Sequence, residues 1–148
     1  LLNLIFSDFF SWLTTTGAKW QPTWFLPILV GEAYEETVLN DPAKYHLYNG
    51  FVDSFSLLSQ RRLGSFNEGE QFLTFSGFPY ETISTPMLLL HGSEDLQSIN
   101  HEMRHLDEVV PNSEFFLIEG GTHFMPISHN DELSSLIQDF LEDNSPPE

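Results

Sequence analysis

Two short, unbroken apolar runs constrain this chain more than any other feature: Met87-Leu88-Leu89-Leu90 and Phe115-Phe116-Leu117-Ile118. Neither alternates apolar with polar residues as a half-exposed strand does, so both suit strands buried on two faces of a parallel sheet. Parallel neighbours need a crossover. Residues 99–110 supply one, with Ile99, Met103, Leu106 and Val110 at helical spacing and a stop at Pro111-Asn112. A second amphipathic pattern follows over 131–141, where Leu133, Leu136, Ile137, Phe140 and Leu141 share one face. The order strand, helix, strand, helix predicts a βαβα unit with a right-handed crossover. In such sheets chemistry gathers beyond the carboxyl ends of the strands. Asp95 and His123 stand a few residues past the two runs. On neighbouring strands about 4.8 Å apart, their loops open side by side and a hydrogen bond between them is within reach.

The first half of the chain has a different texture. Leu2, Ile5, Phe6, Phe9 and Leu13 predict a helix over 1–13, with Gly17 soon after. Residues 20–31 hold Trp20, Trp24 and Phe25 between Pro22 and Pro27, and predict an irregular, partly buried segment. Asp41-Pro42 has the form of an N-cap followed by proline at the first helical position. Tyr45, Tyr48, Val52, Phe55 and Leu58 continue that helix to about Arg62. Residues 64–80 read as a connection, and residues 142–148 as a frayed tail.

Charge removes several function classes. The chain of 148 residues has 22 acidic and 5 basic side chains, for a formal charge of -17, which repels phosphate backbones and anionic bilayers alike. Neither nucleic acid nor a membrane is expected as a partner. No apolar run approaches the roughly 20 residues of a bilayer span, and the apolar opening from Leu1 to Phe6 lacks a signal peptide's basic flank and cleavage site. Zero cysteines exclude disulfides, thiolate metal sites and a cysteine nucleophile. The compartment stays open, with the cytoplasm as the expectation. The chain starts in mid-pattern on Leu1, and is expected to be incomplete at its N-terminus.

The run Ile83-Ser84-Thr85-Pro86-Met87-Leu88-Leu89-Leu90-His91-Gly92-Ser93-Glu94-Asp95 is followed by Pro111-Asn112-Ser113-Glu114-Phe115-Phe116-Leu117-Ile118-Glu119-Gly120-Gly121-Thr122-His123-Phe124. Together they resemble the last two strands and catalytic loops of the α/β-hydrolase family, a likeness covering residues 80–142. It implies a partial α/β-hydrolase fold of the α/β class: a helical cap-like region over 1–80, and over 81–148 the C-terminal βαβα unit of the sheet. In that family the triad runs nucleophile, acid, histidine in chain order. The resemblance therefore assigns the acid to Asp95 and the histidine to His123, with Glu94 as substitute acid. The implied activity is hydrolysis of an ester or related bond in a small apolar substrate, without a cofactor.

The family's nucleophile elbow, G-x-S-x-G, occurs nowhere in the sequence. Ser65 and Ser93 follow glycines but lack the strand-to-helix context, and the oxyanion-hole loop is also missing. The chain is expected to be inactive alone and to need the missing N-terminal half or self-association. The competing reading is a noncatalytic remnant or interaction module of the same fold.

A third reading comes from His101-Glu102-Met103-Arg104-His105, which matches the zinc-peptidase signature H-E-x-x-H. Phase opposes it. With Ile99, Met103, Leu106 and Val110 inward, His101 and His105 fall on the solvated face, so no metal is expected. Trp12, Trp20, Trp24, Phe25 and the phenylalanines near them are expected either to line an apolar pocket or to lie in the core. His46, His91 and His129 are expected as satisfied loop or strand residues.

Overall fold

The computed structural model describes residues 7–56, 58–96 and 100–145, the side chains of Asn100 and His101 excepted. Helix α1 spans Asp8–Trp20 and starts where the Ser7 hydroxyl accepts the Phe10 N–H at 3.2 Å. Leu2, Ile5 and Phe6 of the expected first helix lie outside the described residues. The helix that is seen runs on past residue 13 and through Gly17, whose open side faces the Phe25 ring.

The expected irregular segment after it is instead helix α2, Pro22–Val30. Pro22 stands at the first helical turn, where its missing N–H costs nothing. Pro27 sits inside the helix, a position that costs roughly 3 kcal/mol. Leu26 and Val30 are fully buried, and burying two such side chains returns about 1.5–3 kcal/mol each. Tertiary burial therefore outweighs the proline. Gly31, at φ 84°, ends α2. A 3₁₀ turn at Glu32–Tyr34 and helix α3, Glu35–Asn40, follow.

Asp41 caps α4, Pro42–Ser54, as its sequence predicts, accepting the Ala43 and Lys44 N–H groups at 2.8 and 3.3 Å. That helix does not reach Arg62. A separate helix α5, Leu58–Thr74, replaces most of the expected connection over 64–80. Every residue from 59 to 80 is exposed, so α5 forms from local preference with little packing to support it.

The second half follows the expected order: β1, Met87–Gly92; α6, Asn100–Val109; β2, Ser113–Ile118; α7, Met125–Ser128; α8, Asn130–Asp143. The strands pair in parallel, Met87 with Ser113 through Gly92 with Ile118. Burial on both faces of β2 is not reached, since Phe116 and Leu117 are both more than a third exposed. A two-stranded sheet offers too little surface for flanking helices to enclose both strands. Arg104 on α6 covers the Phe115 ring, its guanidinium carbon 5.3 Å from the centroid.

The largest core is helical and crosses the expected division at residue 80. Ala18, Leu26, Val30, Val38, Tyr48 and Val52 pack with Ile127 from beyond β2. Lys44 adds an ion pair to Asp131 at 2.8 Å, joining α4 to the first turn of α8. Lys19 pairs with Asp53 between α1 and α4. The chain is thus a mixed α/β structure, mostly helical, with a small parallel sheet.

Candidate active site

Parallel pairing places the ends of β1 and β2 side by side, and the loops that leave them are sewn together by main-chain bonds. Ser93 N–H donates to Ile118 C=O at 2.9 Å, Glu94 N–H to Gly121 C=O at 2.8 Å, and Asp95 N–H to Gly92 C=O at 3.2 Å. Gly120 N–H donates to the Ser93 hydroxyl at 2.8 Å. The loops approach so closely that any side chain on Gly92 would overlap the Gly121 carbonyl. Glycine before the acid is a steric requirement of the loop contact, besides easing a turn.

This stitching brings Asp95 Oδ2 to 3.1 Å from His123 Nδ1. The Asp95 side chain is 7% exposed and the His123 side chain 50%. One partner is enclosed and the other faces outward. The expected acid and histidine therefore meet. Glu94 does not take the acid's place: it is exposed, and its carboxylate lies on the Gly31 side of the loop. With Nδ1 engaged by a carboxylate, a neutral His123 carries its proton there and presents Nε2 as a base. No described residue forms a hydrogen bond to Nε2.

Beside the histidine, Phe124 forms part of the wall of an apolar cavity of about 360 Å³, together with Phe10, Phe25, Leu29, Phe51 and Phe55. Thr14 and Thr15 also line it, but their hydroxyls bond to carbonyls of α1, leaving carbon surface inward. Of the aromatics expected here, Phe25 and the nearby Phe10 contribute and the tryptophans do not. Trp12, Trp20 and Trp24 are exposed, and lie neither in the pocket nor in the core. The pocket's real aromatics are phenylalanines that bring no polar edge needing a partner.

The other histidines divide. His105 is 68% exposed and 3.8 Å from Glu108; the side chain of His101 lies outside the described residues. Among the described residues no group of three potential ligands gathers around a common point. His91 is buried in β1, while His46 sits on the exposed side of α4, not in a loop or strand. His129 is not fully satisfied. Its Nδ1 lies 2.8 Å from the Ser128 hydroxyl and its ring 4.4 Å from that of Tyr34, but its buried Nε2 has no hydrogen-bond partner among the described residues.

No protein-family model, curated protein or solved structure matches the chain. The site therefore has to be judged on its own geometry. Two of its supports, Thr122 and Tyr34, carry no role in the sequence reading. The only sequence signal for them is their position, one beside His123 and the other just after a helix-ending glycine.

Proposed function

We propose that this chain supplies the acid and the general base of an α/β-hydrolase-type serine hydrolase acting on an ester or related bond of a small apolar substrate. The observation that carries the proposal is the Asp95–His123 hydrogen bond at the ends of adjacent parallel strands, made through Nδ1. Asp95 holds the tautomer and stabilises the imidazolium. Nε2 takes the proton from a serine nucleophile and later returns it to the leaving group. The carbon-lined cavity beside Phe124 takes the apolar part of the substrate, its volume lying at the small end of the roughly 300–1,000 Å³ usual for such sites. The serine is supplied from outside these residues, on strands that extend the sheet.

The test joins the chain to whatever its gene encodes upstream of Leu1 and assays p-nitrophenyl butyrate. The expected outcome is saturable turnover, abolished by His123→Ala and reduced about 10⁴-fold by Asp95→Asn, whereas the 148-residue chain alone gives none. Turnover indifferent to His123→Ala defeats the proposal. A second reading is favoured by one observation, the absence of G-x-S-x-G from the sequence: a noncatalytic interaction module. It predicts that the extended protein also lacks a serine elbow and any turnover.

A further inference from the structure

The loop carrying His123 is held from outside the sheet, by the end of α2. The last carbonyls of a helix have no partners within it, and α2 ends at Val30 with its Gly31 N–H taken back to Pro27 C=O at 3.1 Å. Leu29 C=O is left over. Thr122 Oγ1 donates to it at 2.5 Å, across 93 positions of sequence. The same oxygen accepts the Phe124 N–H at 3.2 Å, and Thr122 C=O accepts the Met125 N–H at 3.0 Å. A single hydroxyl thus fixes the main chain on both sides of His123. It ties the residue before His123 to a helix terminus and holds the N–H of the residue after it, while the Thr122 carbonyl holds Met125 at the start of α7.

A second support comes from the same segment. Gly31 turns the chain, and three residues on, Tyr34 lies against Gly120, where a side chain of any kind would overlap its hydroxyl and ring. Tyr34 OH also donates to Glu119 C=O, at 3.4 Å. Residues 29–34 therefore bear on the histidine loop at two points.

We infer that Thr122 is a positioning residue for His123: its hydroxyl, anchored on Leu29 C=O, sets the ring so that Nδ1 faces Asp95. Asp95 alone cannot do this, because a carboxylate accepts from whichever nitrogen the loop turns toward it. The significance for catalysis rests on the proposed role of His123, but the geometry does not, and the test reads the geometry without reading turnover.

The test is nitrogen-15 NMR of the histidine rings in the 148-residue chain, at a pH where His123 is neutral, with His123→Gln to assign its signals. The wild-type ring is expected in the Nδ1–H tautomer. Thr122→Val keeps the volume and removes the hydroxyl, so it is expected to give a mixture of both tautomers. Thr122→Ser keeps the hydroxyl and is expected to restore the wild-type signals. Gly31→Ala disturbs the acceptor side, because an L side chain is strained at φ 84°, and is expected to act like Thr122→Val with the hydroxyl kept, the new methyl meeting Thr122 Cγ2 only at an ordinary contact distance of 4.0 Å. Val110→Ala serves as a control for general loosening, since Val110 is buried just before the amino end of β2, at the opposite end of the strands from the histidine loop. Wild-type ring signals in both Thr122→Val and Gly31→Ala overturn the inference. An equal tautomer change in Val110→Ala overturns it too. Absence of turnover in the joined wild-type protein, with the tautomer change as expected, would count against the hydrolase proposal and leave the positioning role standing.

Discussion

The histidine loop, residues 118–129, and helix α5 with the residues after it, 58–80, are held in opposite ways. The loop touches the rest of the chain through bonds that span long stretches of sequence: Thr122 to Leu29, Gly120 to Ser93, and Ile127 into the helical core. Helix α5 buries no residue, and Phe72 and Leu73 are 81% and 89% exposed. Since local stability tracks tertiary contacts rather than helical content, the loop is expected to open less readily than α5. The role proposed for Asp95 and His123 requires the first kind of support, whereas α5 leaves Phe72 and Leu73 uncovered among the described residues.

The sharpest way to break this contrast is at Gly120. Its φ of 69° and its contact with Tyr34 leave no room for a branched residue. Strain of about 1–3 kcal/mol and overpacking of a similar size add there, so Gly120→Val is expected to abolish a cooperative thermal transition followed by circular dichroism. A native-like melt would show the loop to be adaptable. Next in size is Leu26→Ala, where a fully buried side chain is lost. Urea unfolding is expected to register about 2–5 kcal/mol.

Tyr48 sharpens the comparison through pH. It is fully buried, and donates to Ala18 C=O at 2.8 Å. Burial, with a smaller contribution from Tyr45, pushes its hydroxyl up to about 12 from 10.0. The raised value favours the protonated form in the folded chain. Its stabilisation is complete below pH 10 and is lost as pH rises from there through about 12, a difference of roughly 2–3 kcal/mol. Urea midpoints measured across that window are expected to fall in the wild type and to fall less in Tyr48→Phe, which should also cost about 1 kcal/mol at neutral pH. Identical slopes would show that Tyr48 does not govern the alkaline limb.

The smallest effect belongs to α5. Leu63, Phe72 and Leu73 are exposed, so changing all three to Gln is expected to move unfolding by no more than about 0.5 kcal/mol per site. Sedimentation should show less self-association. A large loss of stability would mean that this face is covered after all.

Where sequence reasoning succeeded and where it failed follows the same division. The cap at Asp41-Pro42 and the order β1, α6, β2, α8 were legible because each depends on residues close in sequence or on a strong local period. The pairing of Asp95 with His123 was legible because parallel strand ends fall together whatever the loops contain. Helix α2 was hidden by Pro22 and Pro27, since only the burial of Leu26 and Val30 outweighs them. Helix α5 was hidden by Gly64 and Gly69, which weaken the local preference. The exposure of Trp12, Trp20 and Trp24 and the anchoring of Thr122 on Leu29 depend on which helix faces meet. No spacing along the chain encodes that.

Lys44 and Lys19 are two of only five basic residues in a chain of formal charge -17, and each joins two helices. Most pairs of charges on this surface are therefore of like sign. Mobile ions mask distant repulsions before they reach a contact pair, the screening length being about 8 Å at physiological ionic strength, and the Lys44 side chain is nearly enclosed. Added electrolyte should relieve the outward pressure of the carboxylates and weaken the exposed Lys19 pair while leaving the Lys44 brace largely intact, so that this body tightens with rising ionic strength where an ordinary ion-paired surface would loosen.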